Sequence, residues 1–176
     1  MPTTGPMIAE GATRFRKYAE RLATGVQPHQ FARKPTWGLG GIEINTNHAA
    51  WNYGHLATYF SMVIESCGLK PEAAALAPAG FKEIFQDGTN CVDDPAGTTY
   101  PPMEKILSTF FKAYDAALAA LEKADDKVLA AAPTDEKIRA NWKTNGARAM
   151  FLMTNHVAMH MGQVSTWRRA MGLPAA

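Results

Sequence analysis

Apolar residues recur at helical spacing in four long segments of this chain, and no stretch alternates as a strand of useful length would. The segment from Met103 to Val128 shows this most clearly, because its apolar residues form one stripe while charged residues cover the other faces. Asparagine, proline and glycine stand where helices begin or stop. The sequence therefore predicts an all-α fold, a four-helix bundle with helices near 7–25, 45–67, 101–133 and 144–171.

Two long connections and one shorter one join the predicted helices, over 28–44, 69–100 and 133–143. Glycine and proline break the middle connection repeatedly, and aspartates such as Asp87 lie among them. A connection of that length in a small bundle is either a structural crossover or a segment that covers a binding site. We favour the structural crossover and keep the binding segment as the alternative.

The fourth helix carries polar residues on the stripe that should face the core. His156 and His160 are four residues apart, so they share one side of this helix. Burying their imidazoles without hydrogen-bond partners would cost free energy. A metal ion would satisfy them economically, because imidazole is the commonest metal-ligating side chain. The alternative is a pair of core histidines that are satisfied by hydrogen bonds. The stripe, at spacings of four and three, consists of Ala149, Met153, His156, His160, Gln163 and Trp167.

The second helix carries a matching polar strip, in which Asn52 and Tyr59 border His55. Cofactor sites in bundles form between facing helices, so we expect helices two and four to face each other. The best ligand set is then His55, His156 and His160. Three imidazoles leave coordination positions open for water or substrate, which is typical of a catalytic metal site.

Two further histidines are assigned elsewhere. His48 lies one heptad before His55, roughly 10 Å along the helix, which is too far for the two to share an ion. We therefore place His48 at the pocket rim or at the helix start. His29 lies in a connection, and we expect it to face solvent.

The residues around the histidines exclude several other sites. Val157 follows His156, so the H-E-x-x-H motif of zinc proteases, with its glutamate base, is absent. No histidine has a glutamate three residues before it, which excludes the Glu-x-x-His pairs of di-iron bundles. The chain also has no C-x-x-C-H haem motif and no glycine-rich phosphate loop between a strand and a helix.

The bulk composition limits the partners and the compartment. A formal net charge of +2, with no run of lysine or arginine, gives no electrostatic case for a nucleic-acid partner. A membrane-spanning helix needs a run of about 18 or more apolar residues, and the sequence has no such run. We therefore expect no membrane partner. Cys67 and Cys91 form no metal-binding motif and are interpreted as reduced thiols, and the start of the chain lacks a signal-peptide pattern. We therefore expect a single domain over residues 1–176 in the cytoplasm.

Three motifs, in their order and spacing, resemble those of the DinB/YfiT-like superfamily. The segment from Trp51 to Ala57 is similar to its W-x-x-G-H-L-A motif, and Tyr100-Pro101 resembles the start of its third helix. The run His156 to Gln163, followed by Arg168 to Pro174, is similar to its closing H-x-x-x-H-x-G-Q…R…G-L-P pattern. The resemblance spans about residues 8–174, although the 69–100 connection matches no characterised enzyme.

This resemblance implies a four-helix bundle with up-down-down-up connectivity. It also implies one divalent transition metal, with nickel or zinc first and manganese or iron as alternatives. Carried over position by position, the ligands are His55, His156 and His160. Relatives of this kind are frequently homodimers, and their established reactions use low-molecular-weight thiols such as mycothiol, bacillithiol or glutathione on a small-molecule substrate.

Three functional hypotheses follow from the sequence. The first is a metal-dependent enzyme, a thiol-dependent transferase or a hydrolase, in which the metal lowers the pKa of a water or a thiol and no nearby carboxylate is evident as a base. The second is a non-catalytic bundle that binds a metal or a small molecule. The third is a metal-free scaffold whose histidines are hydrogen-bonded. In the first hypothesis the substrate pocket includes His48, Asn52, Tyr59 and Gln163.

Overall fold

A computed structural model describes residues 3–176, and nearly all of its regular structure is helical. The α-helices in this range are α1 (Thr4–Ala23), α2 (Pro28–Phe31), α3 (Ala49–Ala57), α4 (Phe60–Ser66), α5 (Phe81–Phe85), α6 (Met103–Glu122), α7 (Asp126–Ala130), α8 (Glu136–Arg139), α9 (Asn145–Met150) and α10 (His156–Ala170). A 3₁₀ turn spans Ala73–Ala75, and a π-helical turn, Phe151–Asn155, joins α9 to α10. The prediction of an all-α fold is confirmed. No helix within residues 3–176 has the length and apolar character needed to cross a membrane.

Four helical units form the bundle, namely α1, the α3–α4 pair, α6, and the continuous run from α9 to α10. Helix α6 packs against α1 and against the α3–α4 pair, while α10 packs against α1 and α3. The α3–α4 and α9–α10 units run antiparallel, since Asn52 bonds His160 near one end and Ser66 bonds Arg148 near the other. The second and fourth units therefore face each other. Large side chains that fill the centre include Leu22, Leu56, Phe60, Phe110, Tyr114 and Trp167.

The second unit is interrupted near its middle, where a continuous helix was expected. The Thr58 hydroxyl donates to the carbonyl of His55 at 2.7 Å, at the point where α3 ends. Threonine side chains compete in this way with backbone donors for helical carbonyls. Helix α4 begins two residues later, at Phe60.

The predicted third helix is too long, because α6 ends at Glu122 rather than near Pro133. Asp125 caps the separate helix α7 by accepting a hydrogen bond from the backbone N–H of Lys127 at 2.8 Å. Aspartate is among the residues that best initiate a helix. Helix α7 buries Leu129 rather than Val128, at which the predicted stripe from Met103 ended. The apolar stripe of α6 therefore does not continue into α7.

The connection over 28–44 contains regular structure that the sequence analysis did not predict. It holds α2 and an antiparallel hairpin of strands β1 (Thr36–Trp37) and β2 (Ile42–Glu43). Strands of two residues are too short to show the alternation by which strands are recognised in a sequence. Both strands are exposed.

The buried face of α10 differs from the stripe that the sequence predicted. Gln163 is exposed, and the neighbouring Val164 is buried in its place. The π-helical turn before α10 explains the change, because the extra residue in a π turn rotates every following side chain relative to α9. His156 and His160, each 8% exposed, consequently lie at the edge of the apolar face.

Helix α5 packs directly on α3 at a glycine. A Cβ atom added at Gly54 would lie 2.6 Å from the ring of Phe85. The close approach brings the backbone carbonyl of Phe85 to the imidazole of His55, at 2.7 Å. Gly54 therefore determines how closely the 69–100 connection approaches the histidines.

His48 begins α3 as its N-cap. Its Nδ1 accepts a hydrogen bond from the backbone N–H of Trp51 at 3.1 Å, so the hydrogen of the neutral ring lies on Nε2 and is donated to the carbonyl of Val92 at 3.0 Å. The ring is fully buried, and burial lowers its pKa to about 4. A protonated ring would lose the cap, because both nitrogens would then be donors.

We predict that Gly54→Ala lowers the free energy of unfolding by about 1–3 kcal/mol, because the added methyl group collides with Phe85. The matched control is Gly11→Ala in α1, where a Cβ atom would meet nothing within 4 Å. The control should gain about 0.5–1 kcal/mol from helix propensity. Urea unfolding followed by circular dichroism measures both, and equal stability of Gly54→Ala and the wild type would contradict the packing described here.

We also predict that the metal-free protein loses stability as the pH falls from about 6.5 towards about 4. The pKa of His48 is lower in the folded chain than in the unfolded one, so its contribution is complete above pH 6.5 and is lost across this window, by roughly 3 kcal/mol. His48→Asn keeps a capping oxygen without titrating, so its stability should fall less steeply with pH. Identical slopes in wild type and His48→Asn would refute the prediction.

Candidate metal centre

Three histidines from two facing helices meet at the interface of α3 and α10. One nitrogen from each of His55, His156 and His160 lies within 4.8 Å of the other two. The Nε2 atoms of His55 and His156 are 3.2 Å apart. Two nitrogens on one tetrahedral ion, each about 2.0–2.1 Å from it, would be about 3.3 Å apart, so this spacing fits a shared ion. The group is close enough to hold a metal ion.

The orientation of His160 is fixed by Asn52 on the facing helix. The Asn52 side-chain amide donates to the backbone carbonyls of Asn47 and His48, both at 3.1 Å. Its oxygen is therefore the atom that faces His160, and it accepts a hydrogen bond from Nδ1 at 2.8 Å. The hydrogen of His160 lies on Nδ1, which leaves a lone pair on Nε2 for a metal.

The orientation of His55 is fixed by the 69–100 connection. Its Nδ1 donates to the backbone carbonyl of Phe85, the last residue of α5, at 2.7 Å. The Nε2 atom of His55 therefore carries a lone pair as well. The His55 ring is stacked on the indole of Trp51, with centroids 4.6 Å apart, and this contact further restricts its rotation.

The third ring, His156, has no hydrogen-bond partner for its Nδ1 among the residues that the structure describes. It packs instead between the ring of Phe151, to which it is parallel, and that of Tyr59. Its Nε2 faces the lone pair of His55 at 3.2 Å and must either donate a hydrogen to it or share a cation with it. If the hydrogen lies on Nδ1, two lone pairs face each other, and a cation between them would relieve the repulsion.

All three imidazoles are neutral at physiological pH. Burial, together with a smaller effect of the adjacent imidazoles, lowers the pKa of His156 to about 4 and that of His160 to about 3. Burial also lowers the pKa of His55. A metal ligand must be deprotonated, so these residues need no proton release to bind an ion near pH 7.

A cavity of about 740 Å³ opens beside the three histidines. Tyr59 forms part of its wall, half-buried, with its ring 4.9 Å from those of both His55 and His156. Burial raises the pKa of Tyr59, so its hydroxyl stays protonated and can donate to a bound molecule. The cavity is large enough for a small organic substrate to lie against the histidines.

The other residues proposed for the substrate pocket lie elsewhere. His48 is fully buried at the start of α3, and both of its ring nitrogens are already hydrogen-bonded. Asn52 is also fully buried and holds His160. Gln163 is exposed; its side chain approaches that of Asn47 at 3.4 Å and interacts with the ring of His160 from outside the cavity. The structure therefore places these three outside the cavity wall, whereas Tyr59 lies in it.

The cavity-wall residues that the sequence analysis did not assign to the site include Asp87, Lys137, Trp142 and Arg148. Asp87 lies just after α5, so the 69–100 connection forms part of the cavity wall. The connection is therefore not only the structural crossover that the sequence favoured. Phe81 and Phe85, four residues apart and followed by Gly88, were a detectable signal for a short helix there. Lys137 and Trp142 follow no periodic pattern, and the sequence held no comparable signal for them.

The two cysteines lie apart from the three histidines. Both thiols are free, and Cys67 is buried. Burial raises the pKa of Cys67 to about 11 and also raises that of Cys91. Neither residue is therefore a reactive thiolate at neutral pH.

Comparison with known families agrees with the fold. The sequence matches the DinB superfamily over residues 11–164. No curated protein matches the chain. The match covers most of the chain and includes all three histidines, and we conclude that this protein belongs to the DinB superfamily.

Proposed function

We propose that this protein is a metal-dependent enzyme that binds one divalent transition-metal ion through His55, His156 and His160. The observation that carries the proposal is the pair of hydrogen bonds from the Nδ1 atoms of His160 and His55 to Asn52 and to the Phe85 carbonyl, which place a lone pair on the Nε2 atom of each buried imidazole. Three neutral nitrogen ligands suit nickel or zinc best, with manganese or iron as alternatives. An ion there supplies Lewis-acid chemistry, which polarises a carbonyl or lowers the pKa of a water or a thiol.

The cavity supports catalysis in preference to a purely structural site. A structural zinc site is closed by four protein ligands, whereas this cluster offers three and borders open space. The small-molecule substrate would occupy that space. A thiol-dependent transferase or a hydrolase fits such a site, because both reactions activate a weakly acidic nucleophile next to an electrophile.

Two side chains of the cavity wall can serve this reaction. The carboxylate of Asp87 can accept a proton from the attacking water or thiol, a role for which the sequence alone offered no candidate. The hydroxyl of Tyr59 stays protonated and can donate a hydrogen bond to an oxygen on which negative charge develops. Asn52 keeps His160 in one tautomer throughout.

The direct test is the metal content of untagged protein, purified as isolated and after reconstitution with nickel or zinc. We expect about one equivalent per chain in the wild type, because three imidazoles from two helices form one site. His156→Ala should lose the metal, and His29→Ala, at an exposed position, should retain it. Circular dichroism establishes that each variant is folded. A reconstituted wild type without metal would rule out the proposal.

We also predict that Asn52→Ala weakens metal binding about 10–100-fold, because His160 would lose the hydrogen bond that fixes its tautomer. The matched control is Asn47→Ala, a cavity-wall residue whose side chain contacts Gln163 at 3.4 Å and whose backbone carbonyl, which Asn52 bonds, is kept. Competition with a chromogenic chelator measures the affinities. Equal affinity of Asn52→Ala and the wild type would show that the orientation of His160 does not depend on Asn52.

A further inference from the structure

A buried arginine lies in the same cavity as the three histidines. Arg148, in α9, is 8% exposed and forms part of the cavity wall. His156 follows eight residues later, about 12 Å further along the helical axis at 1.5 Å per residue. Because both line one cavity, a single molecule in it can contact the histidines and the guanidinium group.

The guanidinium group of Arg148 has no paired anion in the part of the chain that the structure describes. Its Nη1 donates to the neutral hydroxyl of Ser66 at 3.4 Å, and no carboxylate of residues 3–176 lies within ion-pair distance of it. Glu65 and Asp135 act on it only at longer range, and they line an adjoining cavity that shares Arg148. Buried charges are normally paired, because an unpaired one keeps most of its desolvation cost.

Arg168 shows how this chain accommodates an arginine that has a structural role. It is 3% exposed, and its guanidinium group donates three hydrogen bonds of 2.7–2.9 Å to the carbonyls of Leu22, Thr24 and Pro174. These bonds attach α10 to the end of α1 and to the C-terminal segment. Arg148 has no comparable set of acceptors, so a structural role does not account for its burial.

We propose that Arg148 binds the carboxylate of a small-molecule substrate whose other end reaches the three histidines. This inference rests on the proposed metal-dependent function and specifies its substrate class. The planar guanidinium fork matches a carboxylate with two parallel hydrogen bonds. Lys137 adds a second positive charge to the same wall, although it is exposed. Asp87 is the acidic residue of this wall. Its negative charge would repel the substrate carboxylate and so favour binding of that group at Arg148.

The test uses metal-loaded protein and alkyl hydroxamates of graded chain length, which chelate metals through one end. The other end carries either a carboxylate or the isosteric carboxamide. At the best length, we expect the wild type to bind the carboxylate form about 10–100-fold more tightly, as for a hydrogen-bonded charge pair. Arg148→Gln should lose this preference and still bind the carboxamide form. Arg139→Gln, an exposed arginine outside the cavity wall, should keep it.

The outcomes separate this inference from the function on which it rests. Hydroxamates that bind the wild type equally well with either tail, or a preference that survives in Arg148→Gln, would overturn the role of Arg148 and leave the metal site intact. If no hydroxamate binds the metal-loaded wild type, the proposed function fails, and the role of Arg148 fails with it.

A second measurement does not depend on the ligand. Arg148→Met should be at least as stable as the wild type in urea, because it removes a buried charge without a paired anion. Arg168→Met should be clearly less stable, because it removes three hydrogen bonds of 2.7–2.9 Å to backbone carbonyls. A loss of stability in Arg148→Met as large as that in Arg168→Met would show a structural role and overturn the inference.

Discussion

The hydrogen bond between His160 and Asn52 connects the chemistry of the site to the backbone of the bundle. The Asn52 amide is itself held by two carbonyls at the start of α3, so its oxygen can face only α10. The tautomer of a residue on one helix is thereby fixed by the backbone of another. Without this bond the α3–α10 interface would bury an amide oxygen and an imidazole N–H unsatisfied, and each would cost free energy.

The helices of the bundle are irregular where they approach the histidines. Thr58 takes the carbonyl of His55 at the end of α3, and a π-helical turn ends immediately before His156. Gly54 lets α5 come close enough for the Phe85 carbonyl to reach His55. Elsewhere, α1 and α6 run twenty residues each without interruption. The regular helices α1 and α6 thus form the packed scaffold. The end of α3 at Thr58 and the π-helical turn before His156 orient the imidazoles towards the edge of the apolar core.

The cluster of three histidines could be predicted because its spacing is local and its helices are periodic. Two histidines four residues apart share a face in any helix, and a third on a facing helix completes the group. The position of Gln163 could not be predicted, because the π-helical turn shifts the register and has no sequence signal. Asp87 and Lys137 were missed for another reason: they lie in connections, whose course depends on tertiary contacts such as that of Phe85 with Gly54.

The site concentrates free-energy cost at one interface. Three imidazoles with lowered pKa values and an arginine without a paired anion are buried between α3–α4 and α9–α10. Within the apolar core, by contrast, the Tyr114 hydroxyl is hydrogen-bonded to the carbonyls of Ala12 and Met153. Ligands that bind only the folded chain add to its stability in proportion to RT ln(1 + [L]/Kd). A metal and an anionic substrate would therefore stabilise this protein at the interface that buries these imidazoles and Arg148.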